Sequence, residues 1–200
     1  MKLVLLTLIL SLSAILPGEA ALDVYMRLLD RSASNSADPT APESLKKLGF
    51  FRLGSLNIGA ENTVNIGSIS AGGGAGKATF KELHITKYPN QVSTDLFRSL
   101  VIGSHYDDVE IIVVYPAAAT ESTDLYRDCV TMKFELKLVM VQSLDYSVSE
   151  GDDIADESVV LQFGAVRISY YTPNEKSNVF TLHSQQSWSR VLNTEAFAVN

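Results

Sequence analysis

Alternation of apolar and polar side chains is clearest in the second half of the chain. In the segment 129–141, even-numbered residues are apolar up to position 138 and the odd-numbered residues between them are polar. Because successive side chains of a strand point to opposite sides of a sheet, this period of two predicts a half-buried antiparallel strand. The predicted core side carries Val130, Met132, Phe134, Leu136 and Leu138, and the opposite side carries Thr131, Lys133, Glu135 and Lys137.

Similar runs predict further strands at 22–29, 50–58, 77–88, 109–115 and 159–170. Two of these runs change parity. Phe80 lies on one parity, whereas Leu83 and Ile85 lie on the other. The alternation of the last run shifts at Gly164. A bulge near residues 81–82 and a bulge or barrel corner at Gly164 would reconcile these shifts.

One α-helix is predicted at about residues 93–103. Ser93 or Thr94 can cap its start, Asp95 favours the positive end of the helix dipole, and Gly103 can close its last turn. Its apolar residues recur at helical spacing and are expected to face the core: Leu96, Phe97, Leu100 and Val101.

Several short strands with one inserted helix predict a mostly β domain, a barrel or a sandwich of antiparallel strands. The segment 30–45, bounded by Asp30 and Leu45, is rich in Ser, Ala and Pro and is predicted to be a long loop. Such a loop is either functional or flexible. The predicted core comprises Phe80, Leu96, Leu100, Met132, Phe134, Leu136, Leu161, Phe163 and Ile168.

The first twenty residues have the layout of a secretory signal peptide. Lys2 precedes an apolar run, Pro17 and Gly18 interrupt it, and small residues end at Ala20. A membrane anchor is the alternative, but the run is shorter than the roughly 20 apolar residues that cross a bilayer. Cleavage is expected after Ala20 or Ala21, which would place the mature protein in the periplasm or outside the cell, with no membrane segment left.

The net charge and the single cysteine limit the kinds of function and cross-link that the chain can have. The net charge is −7, so the protein lacks the basic footprint of a nucleic-acid-binding protein. Cys129 is the only cysteine among 200 residues. It could bridge two exported chains or lie buried as a small apolar side chain, and burial is the expectation we favour.

No catalytic, metal or cofactor site is predicted. The glycine-rich segment 71–77 resembles a phosphate-binding loop, but Ala71 and Ala78 replace residues that the motif needs, and a strand-like sequence follows. The three histidines are not spaced as metal ligands. Acidic residues near Asp152 and Asp153 form only a loose cluster, so a solvated turn is favoured over a calcium site.

Four segments in order resemble the Hcp family, the tube proteins of bacterial type VI secretion. They are 76–88 (Gly-Lys to the Phe-Lys-Glu-Leu-His-Ile-Thr-Lys-Tyr run), the predicted helix from Ser93 to 105, the strand 132–148, and the segment 157–170. The resemblance covers about residues 76–173, and 21–75 more loosely. It implies a small β-barrel with a flanking helix, subunits that form hexameric rings and stack into a tube that carries effectors, and no enzymatic activity.

The resemblance divides the chain into a signal peptide at 1–20, a barrel domain at 21–173 and an extension at 174–200. Typical tube subunits lack a signal peptide, so this one departs from the pattern, as do the segment after Leu29 and the extension. The extension is predicted to be either one turn of amphipathic helix around Trp188, Val191 and Leu192 or a disordered tail.

The leading hypothesis is therefore an exported, non-enzymatic, ring-forming homo-oligomer, with a protein effector or secretion partner as a further candidate. The predicted assembly residues are Thr131, Lys133, Glu135 and Lys137 together with the loop between Asp30 and Leu45. The alternative is a monomeric secreted β-barrel that binds a ligand or a protein. A hydrolase or metal enzyme with a site hidden in loops is a third class.

Overall fold

The computed structural model describes residues 21–29, 38, 41–62, 78–115, 128–174 and 179–200. The predicted signal peptide at 1–20, most of the predicted loop at 30–45, and the glycine-rich segment 71–77 lie outside the described residues. No helix among the described residues is both long and apolar enough to cross a membrane.

The described part of the chain forms ten strands and two helices. The strands are β1 (Asp23–Leu28), β2 (Phe51–Leu53), β3 (Ser55–Asn57), β4 (Ala60–Asn62), β5 (Ala78–Phe80), β6 (Leu83–Lys87), β7 (His105–Val114), β8 (Val130–Ser147), β9 (Asp156–Pro173) and β10 (Phe180–Ser189). The helices are α1 (Glu43–Lys47) and α2 (Gln91–Ile102). The predicted mostly β class is confirmed.

Seven strands follow one another in a nearly closed antiparallel sheet, in the order β2-β1-β7-β8-β9-β6-β3. The ends of the sheet meet between β2 and β3, where the Gly54 amide donates to the carbonyl of Thr86 on β6 at 2.7 Å. The long strand β9 pairs with β8 along one edge and with β6 and then β10 along the other. The predicted antiparallel barrel is therefore confirmed.

The predicted strand 50–58 is split at Gly54, so that β2 pairs with β1 and β3 pairs with β6. A Cβ at this position would lie 3.0 Å from Thr86 Oγ1, which explains why glycine allows this close approach. The predicted irregularity at 81–82 separates β5, which pairs with β4 in a small second sheet, from β6.

The alternation of core-facing and outward-facing residues reverses at the same level in two neighbouring strands, at Leu138 on β8 and at Gly164 on β9. Leu138 has a φ of +52°. Before it, Leu136 faces the core, and after it Val139 does, so the parity of the strand is reversed. Leu138 itself lies on the outer side, where it and Val199 flank the open side of Gly164. The parity shift at Gly164 is confirmed, but the placement of Leu138 on the core side is wrong.

The main hydrophobic core fills the barrel. Five of the predicted core residues are buried in it, namely Leu96, Phe134, Leu136, Leu161 and Phe163, and Phe80, Leu100 and Met132 pack against it. Ile168 is 40% exposed, so its prediction as a core residue is wrong. At this level β9 pairs with β10 rather than β6, and Ile168 therefore lies past the closed part of the barrel.

Helix α2 begins two residues earlier than predicted. Asn90 caps it instead of Ser93 or Thr94, and its side chain accepts a hydrogen bond from the Val92 amide at 3.0 Å. The Ser93 hydroxyl accepts from the Asn90 amide at 2.9 Å, which completes a capping box. Gly103, with a φ of +67°, ends the helix as predicted.

Only half of the predicted apolar side of α2 faces the core. Leu96 is buried and Leu100 packs against the core, but Phe97 and Val101 are 52% and 61% exposed. The prediction that the latter two face inward is wrong. Helical spacing groups all four residues, but the barrel wall covers only a narrow stripe of the helix.

A second, smaller hydrophobic cluster lies outside the barrel, where α1 packs on β1, β7 and the start of β8. It contains Tyr25, Ala41, Leu45, Phe50, Ile112, Val114, Cys129 and Val130. Leu45 is fully buried there. The end of the segment predicted to be loop therefore forms a helix and contributes to the core of its own subunit.

The extension at 174–200 is neither a helical turn nor a disordered tail, so both predicted alternatives are wrong from residue 179 onward. Phe180–Ser189 forms β10, which continues the main sheet beyond β9. The chain then turns at 190–193 and pairs back, with the Ser189 amide donating to the Thr194 carbonyl at 2.8 Å. Long-range strand pairing determines this tail, and local spacing does not reveal it.

Candidate functional site

The predicted assembly strand lies in the middle of the sheet, and its two sides follow the predicted alternation from Met132 to Lys137. The placement of Val130 on the core side is wrong: it lies in the second cluster outside the barrel, because the register shifts between Val113 and Val114. Phe134 and Leu136 face the core, whereas Lys133, Glu135 and Lys137 lie on the outer side, where their side chains are only 18%, 25% and 29% exposed. They are less exposed than free surface charges because neighbouring strands carry long side chains beside them.

Strand register arranges these charges in rows across the sheet. One row runs from Arg27 on β1 through Glu110 on β7 and Glu135 on β8 to Arg167 on β9. We call the complete set the outer charged face. It consists of Arg27, Asp108, Glu110, Lys133, Glu135, Lys137 and Arg167.

Most charges of the outer charged face form ion pairs within the subunit. Arg27 binds Glu110 at 2.5 Å, and Lys137 binds Asp108 at 2.6 Å. Glu135 lies 3.3 Å from Lys133 and 3.7 Å from Arg167. The Thr131 hydroxyl donates to the Val113 carbonyl at 3.1 Å. The four predicted strand residues therefore belong to one internally bonded surface.

The C-terminal segment, residues 194–200, lies over one end of the outer charged face. The guanidinium of Arg167 is 4.1 Å from the centre of the Phe197 ring, and the Lys137 ammonium is 5.1 Å from it. The Ser187 hydroxyl donates to the Glu195 carbonyl at 2.6 Å. The sequence analysis missed this contact, because no local signal links a terminal Phe to cations on distant strands.

The described part of the loop between Asp30 and Leu45 reaches the start of the predicted assembly strand. Asp38 is buried and accepts a hydrogen bond from the Arg52 amide at 2.7 Å. Leu45 packs in the second cluster with Val130 and with Ile112, the register partner of Lys133. Within one subunit, the end of the loop therefore lies beside the start of β8.

A buried polar cluster, also missed from sequence, joins β6, α2 and β9. Lys87 and Glu157 are register partners, and their ion pair, 2.7 Å long, has no exposed side-chain surface. The Ser93 hydroxyl donates to Glu157 at 2.5 Å and accepts from Lys87 at 2.8 Å. Burial lowers the pKa of Lys87, an effect that Glu157 opposes.

A serine beside a lysine of lowered pKa is an arrangement used in nucleophilic catalysis. Here both side chains are buried, Lys87 is bonded to a carboxylate, and the cluster joins the start of α2 to the barrel. A substrate could not reach the hydroxyl without displacing the helix. The cluster is therefore structural.

The histidines do not form a site within the described residues. His84 contacts Glu82 at 3.6 Å, His105 contacts Asp107 at 3.2 Å, and the His183 ring packs on Tyr170. No group of three metal-ligating side chains occurs in this part of the chain. The acidic segment 149–156 is largely exposed, and it contains a turn closed by the Asp152 amide, which donates to Ser149.

Cys129 lies buried in the second cluster and forms no disulfide. Burial raises the pKa of its thiol to about 12, with Asp128 adding to the effect. Of the two expectations for Cys129, a small buried side chain therefore describes this structure, and a bridge between two chains does not.

A thiol reagent should accordingly fail to label Cys129 in the native protein at pH 8, because the thiol is both inaccessible and protonated. Labelling should become complete in denaturant. Mass spectrometry of the reacted chain measures both states, and rapid labelling of the folded protein, or a disulfide-linked dimer on a non-reducing gel, would contradict the expectation.

The family comparison gives one match. The family model described as "Type VI secretion system effector, Hcp" matches residues 48–170, a range that runs from before β2 to near the end of β9. No match was found among functionally characterised proteins compared by sequence.

Solved structures of the same description share the fold. The "Structure of a type six secretion system protein" superposes with a TM-score of 0.71 at 20% identity, covering 88% of this chain and 100% of that one. Hcp1 from Salmonella typhimurium gives a TM-score of 0.61 at 17% identity, covering 88% and 99%. A type VI secretion system effector from Yersinia pestis gives 0.57 at 14%, covering 84% and 99%.

Proposed function

Because the chain belongs to the Hcp family of type VI secretion system effectors, we propose that it is an exported, non-enzymatic structural protein whose copies assemble into rings of six. The observation that carries the proposal is the family match over residues 48–170, which covers the barrel apart from β1 and the last residues of β9. The complete coverage of a type six secretion system protein of the same fold supports it.

The assembly surface of the proposal comprises Thr131, the outer charged face with Lys133, Glu135 and Lys137, and the loop between Asp30 and Leu45. The whole chain carries a net charge of −7, so its copies repel one another. The outer charged face, by contrast, has four cations and three carboxylates. Contact between copies therefore costs least electrostatically at this face.

A ring needs a head-to-tail contact that repeats and closes. Two further surfaces are available for the other side of such a contact. The exposed side of α2 presents Phe97, Val101 and Ile102, each more than half exposed. The strand β10 pairs only with β9 among the described strands, and the described part of the chain adds only the bridge between Ser189 and Thr194 along its other edge.

Light scattering coupled to size-exclusion chromatography tests the proposal on protein purified from the exported fraction, whose N-terminus should be Ala21 or Leu22. We expect a particle with six times the mass of the chain. Deleting residues 32–37 should weaken the ring and leave the fold intact, because the deletion spares Asp38, which binds the Arg52 amide. A folded protein that stays monomeric at high concentration would favour the alternative, a secreted binding module.

A further inference from the structure

The C-terminal segment, residues 194–200, occupies part of the surface through which the copies would meet. Phe197 lies against Arg167 and Lys137, and both belong to the outer charged face. Val199 fills the space beside Gly164, where an added Cβ would come within 2.9 Å of it. With the segment in place, only 29% of the Lys137 side chain and 32% of the Arg167 side chain are exposed, so a second copy could reach the covered surface only after the segment moves.

The segment is held weakly compared with the strands beneath it. Among the described residues, its contacts with the rest of the chain include one bridge at Thr194, one hydrogen bond from Ser187, and the packing of Phe197 and Val199. Residues 194–196 are exposed, and Phe197 is only half buried. Segments with few buried contacts open at a free-energy cost far below that of global unfolding.

The fit between the segment and the face is incomplete. A groove of about 470 Å³, open to solvent, lies between Phe197–Asn200 and the start of β7, lined also by His105, Asp107 and Lys137. The segment therefore leaves part of the surface beside it uncovered. The surface therefore has room for a larger partner than the seven residues that cover it here.

We propose that residues 194–200 are a displaceable cover, and that the surface around Lys137 and Arg167 binds either this segment or a second copy of the chain. The inference rests on the proposed ring assembly and adds a segment that regulates it. The second copy is the partner that the charges favour, because the outer charged face mixes both signs whereas the rest of the protein is acidic.

The cover should reduce the apparent affinity between copies by the fraction of chains in which it is open. An open fraction of about a tenth or less means that its removal strengthens assembly at least about tenfold. Phe197→Ala, which removes the ring between the two cations, should have the same effect in the full-length chain without shortening it.

Light scattering over a range of protein concentrations measures the midpoint of assembly for the unchanged chain, for a chain ending at Asn193, and for Phe197→Ala. Leu192→Ala is the matched control, since Leu192 is an exposed apolar side chain in the preceding turn and 42% of its surface is accessible. Circular dichroism and melting establish that each variant is folded. A peptide of residues 191–200, added to the shortened chain, should bind and restore the higher midpoint, and its Phe197→Ala form should not.

Lower midpoints for the shortened chain and for Phe197→Ala, with Leu192→Ala unchanged, support the inference. Equal or higher midpoints overturn it while leaving the ring proposal in place, because the unchanged chain still assembles. If no folded variant assembles at any concentration, the ring proposal fails, and the inference that rests on it fails as well.

Discussion

Replacing Lys87 with Met should lower the free energy of unfolding by about 3–5 kcal/mol, the range for breaking a buried ion pair by removing one partner. The Glu157 carboxylate has no exposed side-chain surface, and one of its oxygens has no hydrogen-bond partner among the described residues. Without the ammonium at 2.7 Å, the Ser93 hydroxyl is the one side-chain donor to Glu157 that remains in this part of the chain. Denaturant unfolding of Lys87→Met and of the unchanged protein measures the difference.

Lys81→Met is the matched control, since Lys81 pairs with Glu61 at 3.5 Å with both side chains more than half exposed. An exposed pair of this kind contributes about 0–1 kcal/mol. The double variant Lys87→Met with Glu157→Met removes both buried charges and should regain most of the lost stability, because apolar replacement of a whole buried pair is often neutral. If the Lys87→Met and Lys81→Met variants had equal free energies of unfolding, the result would contradict the assignment of Lys87 to a buried ion pair.

The barrel could be predicted from the sequence where one side of a strand meets the core and the other meets polar surroundings. Strand β8 shows this clearly, with Phe134 and Leu136 inside and Lys133 and Glu135 outside. Its alternation could not show the reversal at Leu138, because the positive φ there arises opposite Gly164 on another strand. Register between strands is a property of the fold that a single apolar pattern does not contain.

Helix α2 shows a different limit of sequence patterns. Its spacing correctly indicated a helix ending at Gly103, but four apolar residues at helical spacing do not say how wide the covered stripe is. Phe97 and Val101 remain exposed, and these side chains are available for a partner. Asn90 was a recognisable cap, but its capping-box partner is Ser93 rather than the more usual Glu or Gln, so the start of the helix was placed too late.

The contacts most relevant to assembly were the least accessible from sequence. The charges on β8 could be placed on one side of a strand, but their partners lie on β1, β7 and β9. The same holds for Phe197, which reaches Arg167 only because β10 pairs with β9 and the chain then turns back. Long-range pairing brings these residues together, and no spacing rule within one segment reports it.

Phe134→Ala should cost about 3–5 kcal/mol of stability, the range for truncating a buried Phe to Ala. The Phe134 side chain is 7% exposed and sits between Ile111 on β7 and Ile168 on β9. Truncation removes its apolar contacts and leaves a cavity that strands paired on both edges cannot collapse to fill. Phe134→Leu retains most of the volume and should cost less than about 1.5 kcal/mol.

The neighbouring residue provides the control, because Lys133 lies on the outer side of the same strand and pairs with Glu135 at 3.3 Å. Lys133→Ala should cost no more than about 1 kcal/mol, as expected for an ion pair at the surface. Unfolding in urea at several protein concentrations measures all three variants and separates the stability of the subunit from that of its assembly, since binding between copies makes apparent stability depend on concentration. If Lys133→Ala lowered the free energy of unfolding as much as Phe134→Ala does, the two sides of β8 would be wrongly assigned. A half-buried ion pair at the surface contributes less stability than the contacts of a core phenylalanine.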